Sequence, residues 1–487
     1  MFSTQVSEGP DAPAIIHAGT QTSYASLAEL NERMASAVLC ASSKVTPKVL
    51  IAVKQSVHAY AAMFGTLLTG GTFCPIDVNG PVHRNMHILQ SFMPDVLLFD
   101  SSCPKIILDE SLAVTHRMDV HQIPQTKLTQ VPRESSEIAY VVFTSGSTGQ
   151  PKGVKAARKA VSYVVNSEQQ YYCVQTGDKW SQYSNIGYDM GIMDTLQALC
   201  HGATLIPITS SRDRLMPAKA IKESRLTIWQ SVPSVLELMI QAKQISFDLL
   251  GSLRLMIFCG EPLFPQQLEV LFEACPGLTV FNAYGTTETT GFNTINRLTK
   301  ENFRTSCASS AVAIGSEVQG WTVELCGEGA PDEGEIVVVG DNLSLGYWQD
   351  EEQTRAAFQQ QRRGSEVKRA YHTGDYGRRI GSNLYCQGRL DRQVKIRGER
   401  IELDEIDHML RQSGYTAAYS ILHAGEVHSF VECESYVDEA QVRIQLRKEL
   451  SLHGLPKIIK KVTSLPKNAN GKVDRQKLER LASGGTE

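Results

Sequence analysis

The sequence predicts an α/β fold: a large N-terminal lobe of αβ-layered subdomains, then a small α+β lobe at the C-terminus. Two observations carry that expectation. Helix-period segments alternate with short apolar runs as far as about Glu335, and beyond it the texture shifts to strand-like pieces in Gly-rich surroundings. In order, Ala25–Cys40 sets Leu27, Leu30, Met34 and Val38 on one helical face, while Val49–Val53, Val96–Phe99 and Ile138–Phe143 have strand length. Thr204–Ile208, Leu253–Phe258 and Leu278–Ala283 continue the strand series. Helical patterns at Met190–Cys200, Pro233–Ala242 and Pro265–Cys275 lie between them, an alternation that implies largely parallel strands. Ile336–Val339, Leu384–Gln387 and Val394–Arg397 read as short strands. Amphipathic helices follow near Glu402–Ser413, Glu439–Leu452 and Asp474–Ala482. A domain boundary is placed near Asp391, dividing the chain into 1–390 and 391–487.

Hydrophobic residues make up 42% and charged residues 21% of 487, ordinary globular usage that excludes a miniprotein or a disordered chain. A net charge of −4 gives no strong pull toward nucleic acid or anionic lipid, so neither partner is expected. Eleven cysteines without a CxxC pair suit a reduced chain better than a disulfide framework or a zinc site. Met1–Ile15 lacks the basic flank and apolar core of an export signal. The apolar stretch Ala61–Ile76 is broken by Gly65, Thr66, Gly70, Gly71 and Thr72, short of the ~18 continuous apolar residues of a membrane span. A cytoplasmic protein is expected.

Five segments carry chemistry. Phe143–Val154, FTSGSTGQPKGV, follows a strand-like run and crowds three glycines, four hydroxyl residues and Lys152 together, a composition suited to wrapping polyphosphate. A Gly/Ser/Thr-rich surface turn has the same composition. A Walker loop does not fit, since Lys152 precedes Gly153 and not a hydroxyl residue. Asn282–Thr290, NAYGTTETT, pairs an aromatic able to stack a purine with Glu288, an acid able to ligate Mg²⁺ beside phosphates; a core tyrosine and a solvated turn acid are the plain alternatives. In Tyr371–Asp375, YHTGD, a carboxylate following a tight turn is placed to hold two ribose hydroxyls. Gly388–Glu402 and Leu465–Arg475 come last, where the Asn470-Gly471 turn presents Lys472 at a loop tip, a position equally open to an ordinary surface lysine.

In this order the segments resemble the adenylate-forming superfamily of amino-acid adenylation domains, acyl-CoA synthetases and luciferase, over roughly Tyr24 to Leu478. The resemblance implies an N-terminal core holding ATP and substrate, and a mobile C-terminal lid carrying the catalytic lysine. It places Thr144, Ser145, Gly146, Ser147, Thr148 and Lys152 in the phosphate loop and Tyr284 against adenine. Gly260, Glu261, Asn282, Gly285 and Thr287 join the nucleotide site, and Asp375 and Arg389 hold the ribose. Glu288 becomes the Mg²⁺ ligand, Asp391 the hinge, and Lys472 the catalytic residue contacting the substrate carboxylate and α-phosphate.

Tyr188-Asp189 sits where the amino-acid branch carries an aspartate for the substrate ammonium; a helix N-cap is the alternative for Asp189. The remaining pocket, by the same resemblance, is Met190, Met193, Ser234, Ile257, Cys259, Ala283, Gly291 and Phe292. It has no charge to match an acidic or basic side chain, so a small neutral or apolar amino acid is expected. Met193, Phe258–Glu261 and Cys386–Asp391 resemble the D-alanine–D-alanyl carrier protein ligases in particular, while Gly291 is expected to leave room for more than a methyl. The implied function is ATP-dependent formation of an aminoacyl-AMP and its transfer to the phosphopantetheine thiol of a carrier protein acting in trans. The open alternatives are an acyl-CoA synthetase for a non-amino acid, a larger apolar amino acid such as proline or valine, and a nucleotide-sensing module without catalysis.

Overall fold

Strands covered on both faces need apolar residues at successive positions, and in Lys48–Ala52 Val49, Leu50 and Ile51 are all fully buried. The computed structural model describes every residue except 127–133, 147–150, 309–310, 328–330, 364–365, 434–435, 468–472 and 484–487. The chain forms two units, one of Met1–Val78, Leu89–Phe143 and Gly153–Leu390, the other of Asn79–Ile88, Thr144–Lys152 and Asp391–Glu487.

Two sheets of the first unit have parallel interiors. One runs His116–Asp119, Val96–Phe99, Lys48–Ala52, Thr72–Pro75, Ile138–Thr144 and Lys152–Ala157. The other has nine strands, and its parallel centre consists of Thr279–Tyr284, Leu255–Phe258, Ile228–Ser231, Lys179–Gln182, Thr204–Pro207 and Pro13–His17. Antiparallel strands close it at both edges, Thr294–Leu298 and Ser316–Glu317 on one side and Thr20–Ser23 on the other. Helices supply the crossovers. In Tyr24–Ala41 the Ser23 hydroxyl accepts from the Ser26 N–H at 3.1 Å, and Leu27, Met34 and Val38 are buried along one face. The stretch Ala61–Ile76 divides between the helix Val57–Leu68 and the strand Thr72–Pro75, and among the described residues no helix is long and apolar enough to cross a membrane.

The third sheet covers the region where the texture of the sequence changes. Thr322–Cys326, Glu333–Val339, Glu366–Ile380, Phe358–Arg363 and Asn383–Arg389 pair antiparallel throughout. Phe358–Arg363 and the fifteen residues of Glu366–Ile380 carry charges and glycines where an apolar run marks a strand, so composition concealed them. The YHTGD segment lies inside Glu366–Ile380, not after a tight turn. In the second unit, the hairpin Gln393–Ile396/Glu399–Glu402 and a sheet of Ala417–His423, Glu426–Glu432 and Ile458–Lys461 accompany helices Leu403–Gln412, Glu439–Glu449 and Arg475–Ala482.

Asp178 is the charged joint of the nine-stranded sheet. Arg254 grips it through Nε at 2.9 Å and Nη2 at 2.5 Å, with Thr227 Oγ1 donating at 2.7 Å and the Gln175 N–H at 2.9 Å. Burial pushes its carboxyl up, but these donors outweigh burial and hold it below the ordinary value. A depressed folded pKa contributes stability that is present above the unfolded pKa and lost as pH falls through the folded one. Arg254→Met is therefore expected to lower stability by roughly 3 kcal/mol at neutral pH in urea unfolding. That deficit should shrink as pH falls below the ordinary carboxylate range and through the lowered pKa of Asp178; a deficit independent of pH would show that the ion pair is not its source.

Candidate active site

Three of the sequence-predicted residues converge in the first unit. Asp375 and Arg389 face each other across the antiparallel pair of their strands, and Arg389 Nη1 donates to Asp375 Oδ1 at 2.7 Å. The Tyr284 hydroxyl, at the end of Thr279–Tyr284, donates to Asp375 Oδ2 at 2.7 Å. Burial first, then the neighbouring Asp375, holds the Tyr284 phenol far above its usual pKa, so it remains a donor. A bulge aims the carboxylate. Gly374 takes φ +73°, its N–H donates to Glu335 at 2.9 Å, and Thr373 Oγ1 bonds the Ile336 carbonyl at 2.7 Å while accepting from the Asp375 N–H at 3.0 Å. Asp375 is 3% exposed. Its carboxylate is thus preoriented by two side-chain donors.

A loop follows directly. The Asn293 N–H bonds the Tyr284 carbonyl at 2.8 Å, closing Gly285–Phe292 into a compact turn around the short 3₁₀ segment Thr287–Thr289. Glu288, at the centre of that segment, is fully buried; its Oε1 accepts from the Tyr347 hydroxyl at 3.0 Å and its carbonyl from the Ser344 N–H at 2.9 Å. Asn282 points elsewhere, its amide donating to the carbonyls of Val312 and Ala313.

Of the residues expected around the acid, Ile257, Cys259 and Ala283 lie at the C-terminal ends of neighbouring parallel strands, and Asp189, Met190 and Met193 on one helix. Asp189 is the first residue of the helix Asp189–Cys200, with Tyr188 at the N-cap. Its Oδ1 accepts from the Met190 N–H at 2.8 Å, so it is a first-turn acid and not the cap. Met190 Sδ lies 3.9 Å from Cys259 Sγ and accepts from Ser184 Oγ at 2.9 Å. A side chain on Gly260, at φ +85°, would reach the Met190 methyl. Glu261 accepts from the Ser234 N–H at 2.9 Å, and the Ser234 hydroxyl is buried with no partner among the described residues. Met193, Ile257, Cys259 and Ala283 are buried, whereas Asp189, Met190 and Phe292 are half-buried.

One expectation about this pocket needs correction. Gly291 leaves no free space, because at φ +119° a Cβ there would come 2.5 Å from Val164 and 3.1 Å from Glu168 Oε1. The Phe292 N–H donates to Glu168 Oε1 at 3.0 Å.

The remaining residues belong to the second unit. Thr144 ends a strand, its hydroxyl buried with no partner among the described residues; Ser145 donates to the Arg400 carbonyl at 2.5 Å; Gly146 follows. Lys152 opens Lys152–Ala157, and its charge reaches Glu402. Asp391 begins the long segment of this unit and accepts from the Gln393 N–H at 3.1 Å. Ser147, Thr148 and Lys472 lie outside the described residues.

Sequence reasoning missed Glu335, Tyr347 and Glu168. The first two leave no motif, since a bulge partner and a hydroxyl donor have no fixed spacing. Glu168 was visible in principle: with Val161, Val164, Val165 and Tyr172 it falls on the buried face of Arg158–Tyr172, where an acid is out of place.

The chain is similar to known proteins over nearly its whole length. Residues 2–348 match the family described as AMP-binding enzyme. A D-alanine–D-alanyl carrier protein ligase of Staphylococcus epidermidis is 28% identical over 500 residues, covering 98% of each chain. An adenylation domain of Vibrio cholerae solved with glycyl-adenosine-5′-phosphate superposes with a TM-score of 0.85 at 22% identity, covering 99% of this chain and 97% of that one. A nonribosomal peptide synthetase protein containing adenylation and PCP domains gives 0.85 at 23%, covering 99% and 83%. Both structural likenesses show the fold.

Tyr284→Phe deletes one of the two side-chain donors on Asp375. It is expected to weaken ATP binding about tenfold in calorimetric titration, the worth of a hydrogen bond to a charged group. Unchanged affinity would separate this triad from the nucleotide.

Proposed function

We propose that this chain, which belongs to the AMP-binding enzyme family of AMP-forming adenylating ligases, activates a small neutral amino acid, with D-alanine the leading substrate, and passes it to a separate carrier protein. Asp189 carries the choice of an amino acid. It is a half-buried carboxylate heading a helix, next to Met190, whose thioether contacts Cys259, a place where an α-ammonium ion would offset its desolvation. The near full-length likeness to the Staphylococcus epidermidis ligase, together with the Met190–Cys259 contact, supports a small side chain.

In this reading Asp375, oriented by Tyr284 and Arg389, accepts from the ribose hydroxyls of ATP, and the Thr144–Lys152 segment contacts the phosphates. The buried hydroxyls of Thr144 and Ser234 would find in the bound substrates the partners they otherwise lack among the described residues. Glu288 would hold Mg²⁺ jointly with phosphate oxygens and water. Its hard oxygen donor suits that ion, and among the described residues no three acidic, His or Cys side chains cluster to make an all-protein site. When bound, the ion neutralises phosphate charge. A carboxylate oxygen of the amino acid attacks the α-phosphorus and pyrophosphate leaves; Lys472 offsets the meeting of two anions. In the second half-reaction the phosphopantetheine thiol attacks the acyl carbon, loses its proton and releases AMP. Neither step needs a covalent enzyme nucleophile. Alignment and charge do the work.

Pyrophosphate exchange across L- and D-amino acids and short carboxylic acids tests the substrate. Asp189→Ala is expected to lower kcat/KM for the amino acid roughly ten- to hundredfold; unchanged activation of the best acid would favour a substrate without an ammonium group. Lys472→Ala should suppress adenylation strongly while thiol transfer from a supplied adenylate survives. Equal loss in both half-reactions would remove Lys472 from the first.

A further inference from the structure

Glu168 lies on the buried face of Arg158–Tyr172 and is 2% exposed. A carboxylate so placed needs donors, and it has three from three different elements. The Phe292 N–H reaches Oε1 at 3.0 Å, while Gln197 Nε2 at 2.7 Å and the Tyr172 hydroxyl at 3.1 Å reach Oε2. Gln197 sits on the same helix as Asp189, about two turns further on. Phe292 ends the loop that holds Glu288. That end of the loop is strained, with Thr290 at φ +56° and Gly291 at φ +119°, and such backbone persists only where its surroundings hold it. Gly291 packs so closely on Val164 and Glu168 that no side chain fits there.

We propose that Glu168 is a positioning residue for the acid substrate: its carboxylate pins the Gly291–Phe292 wall to the helix bearing Asp189 and so governs how well the acid is held. The proposal rests on the reading that Asp189, Gly291 and Phe292 border the acid pocket. The middle of the loop has its own anchors, Ser344 and Tyr347 on Glu288, so loosening at Phe292 is separable from the nucleotide side.

Burial pushes the Glu168 carboxyl up to about 7, against the hydrogen bonds from Phe292, Tyr172 and Gln197. The titratable groups facing this cluster are Tyr172 on its own helix, Tyr140 from Ile138–Thr144, Asp194 and Asp189 from the Gln197 helix, and Cys259. Burial drives both phenols and the Asp194 carboxyl toward their neutral forms. Glu168 changes charge near neutrality. A proton on it needs an acceptor, and Gln197 Oε1, buried with no partner among the described residues, becomes one when the amide turns over. The Phe292 bond then passes from charge-assisted to neutral and weakens.

Glu168→Gln reproduces that protonated state at every pH, with the same turn of Gln197 satisfying it. The acid activated best by the wild-type enzyme is identified first by pyrophosphate exchange; a non-amino acid in that role overturns the functional reading and leaves Glu168 to be judged on that acid. At saturating ATP, the wild-type KM for the acid is expected to rise as pH is lowered from about 8 to 6. In Glu168→Gln it should be raised about fivefold at pH 8 and flat with pH, while the KM for ATP and kcat stay within about twofold. A merely structural role predicts equal rises in both KM values, or a variant whose profile parallels the wild type; either overturns the proposal. Should the variant fail to fold, the wild-type profile decides alone, since an acid KM unchanged over that range also overturns it. Urea unfolding checks the titration itself. A folded pKa raised from 4.5 to about 7 gives stability that is full below 4.5 and lost as pH rises through 7, a slope that Glu168→Gln lacks.

Discussion

A carboxylate removed from water must be supplied with donors, and the first unit is organised around three that meet this demand. Glu168, Glu288 and Asp375 are 2%, 0% and 3% exposed. None is satisfied by its own element alone. Asp375 draws on the end of a parallel strand and on an antiparallel neighbour, Glu288 on the Ser344–Tyr347 segment, and Glu168 on a second helix and a loop. Each bond therefore couples parts of the fold that the backbone ladders leave independent. Held in this way, the acids keep fixed directions, which is what substrates must meet.

The layers explain why these groups coincide. Parallel strands deliver their C-terminal ends to one edge of a sheet, the usual place for a ligand in an open α/β sheet. Leu255–Phe258 brings Cys259, Gly260 and Glu261 there, and Thr279–Tyr284 brings Tyr284 and the loop to Phe292. The antiparallel sheet contributes differently. Its regular pleat would carry Asp375 past the required direction, and the bulge at Gly374, secured by Glu335 and Thr373, turns the carboxylate toward Tyr284.

Local chemistry was legible wherever it is written in neighbouring residues. Ala25–Cys40 was readable as a helix from its apolar face, and the YGTTE and YHTGD segments stood out because turn, hydroxyl and acid residues lie side by side. Phe358–Arg363 and Glu366–Ile380 were not, since their polar and charged composition hides strands that only pairing makes visible. Gly291 illustrates the same boundary. As a letter it suggested space, yet the approach of Val164 makes it a residue required by crowding.

The sequence by itself determined the family and the α/β layering, because periodicity and short motifs are properties of adjacent residues. Only the tertiary structure decided which donor serves which acid. Tyr284 meets Asp375 across 91 positions and Phe292 meets Glu168 across 124, distances over which no spacing rule operates. What joins such pairs is the requirement that a buried charge be hydrogen-bonded, and that requirement acts on whatever the completed fold brings within reach.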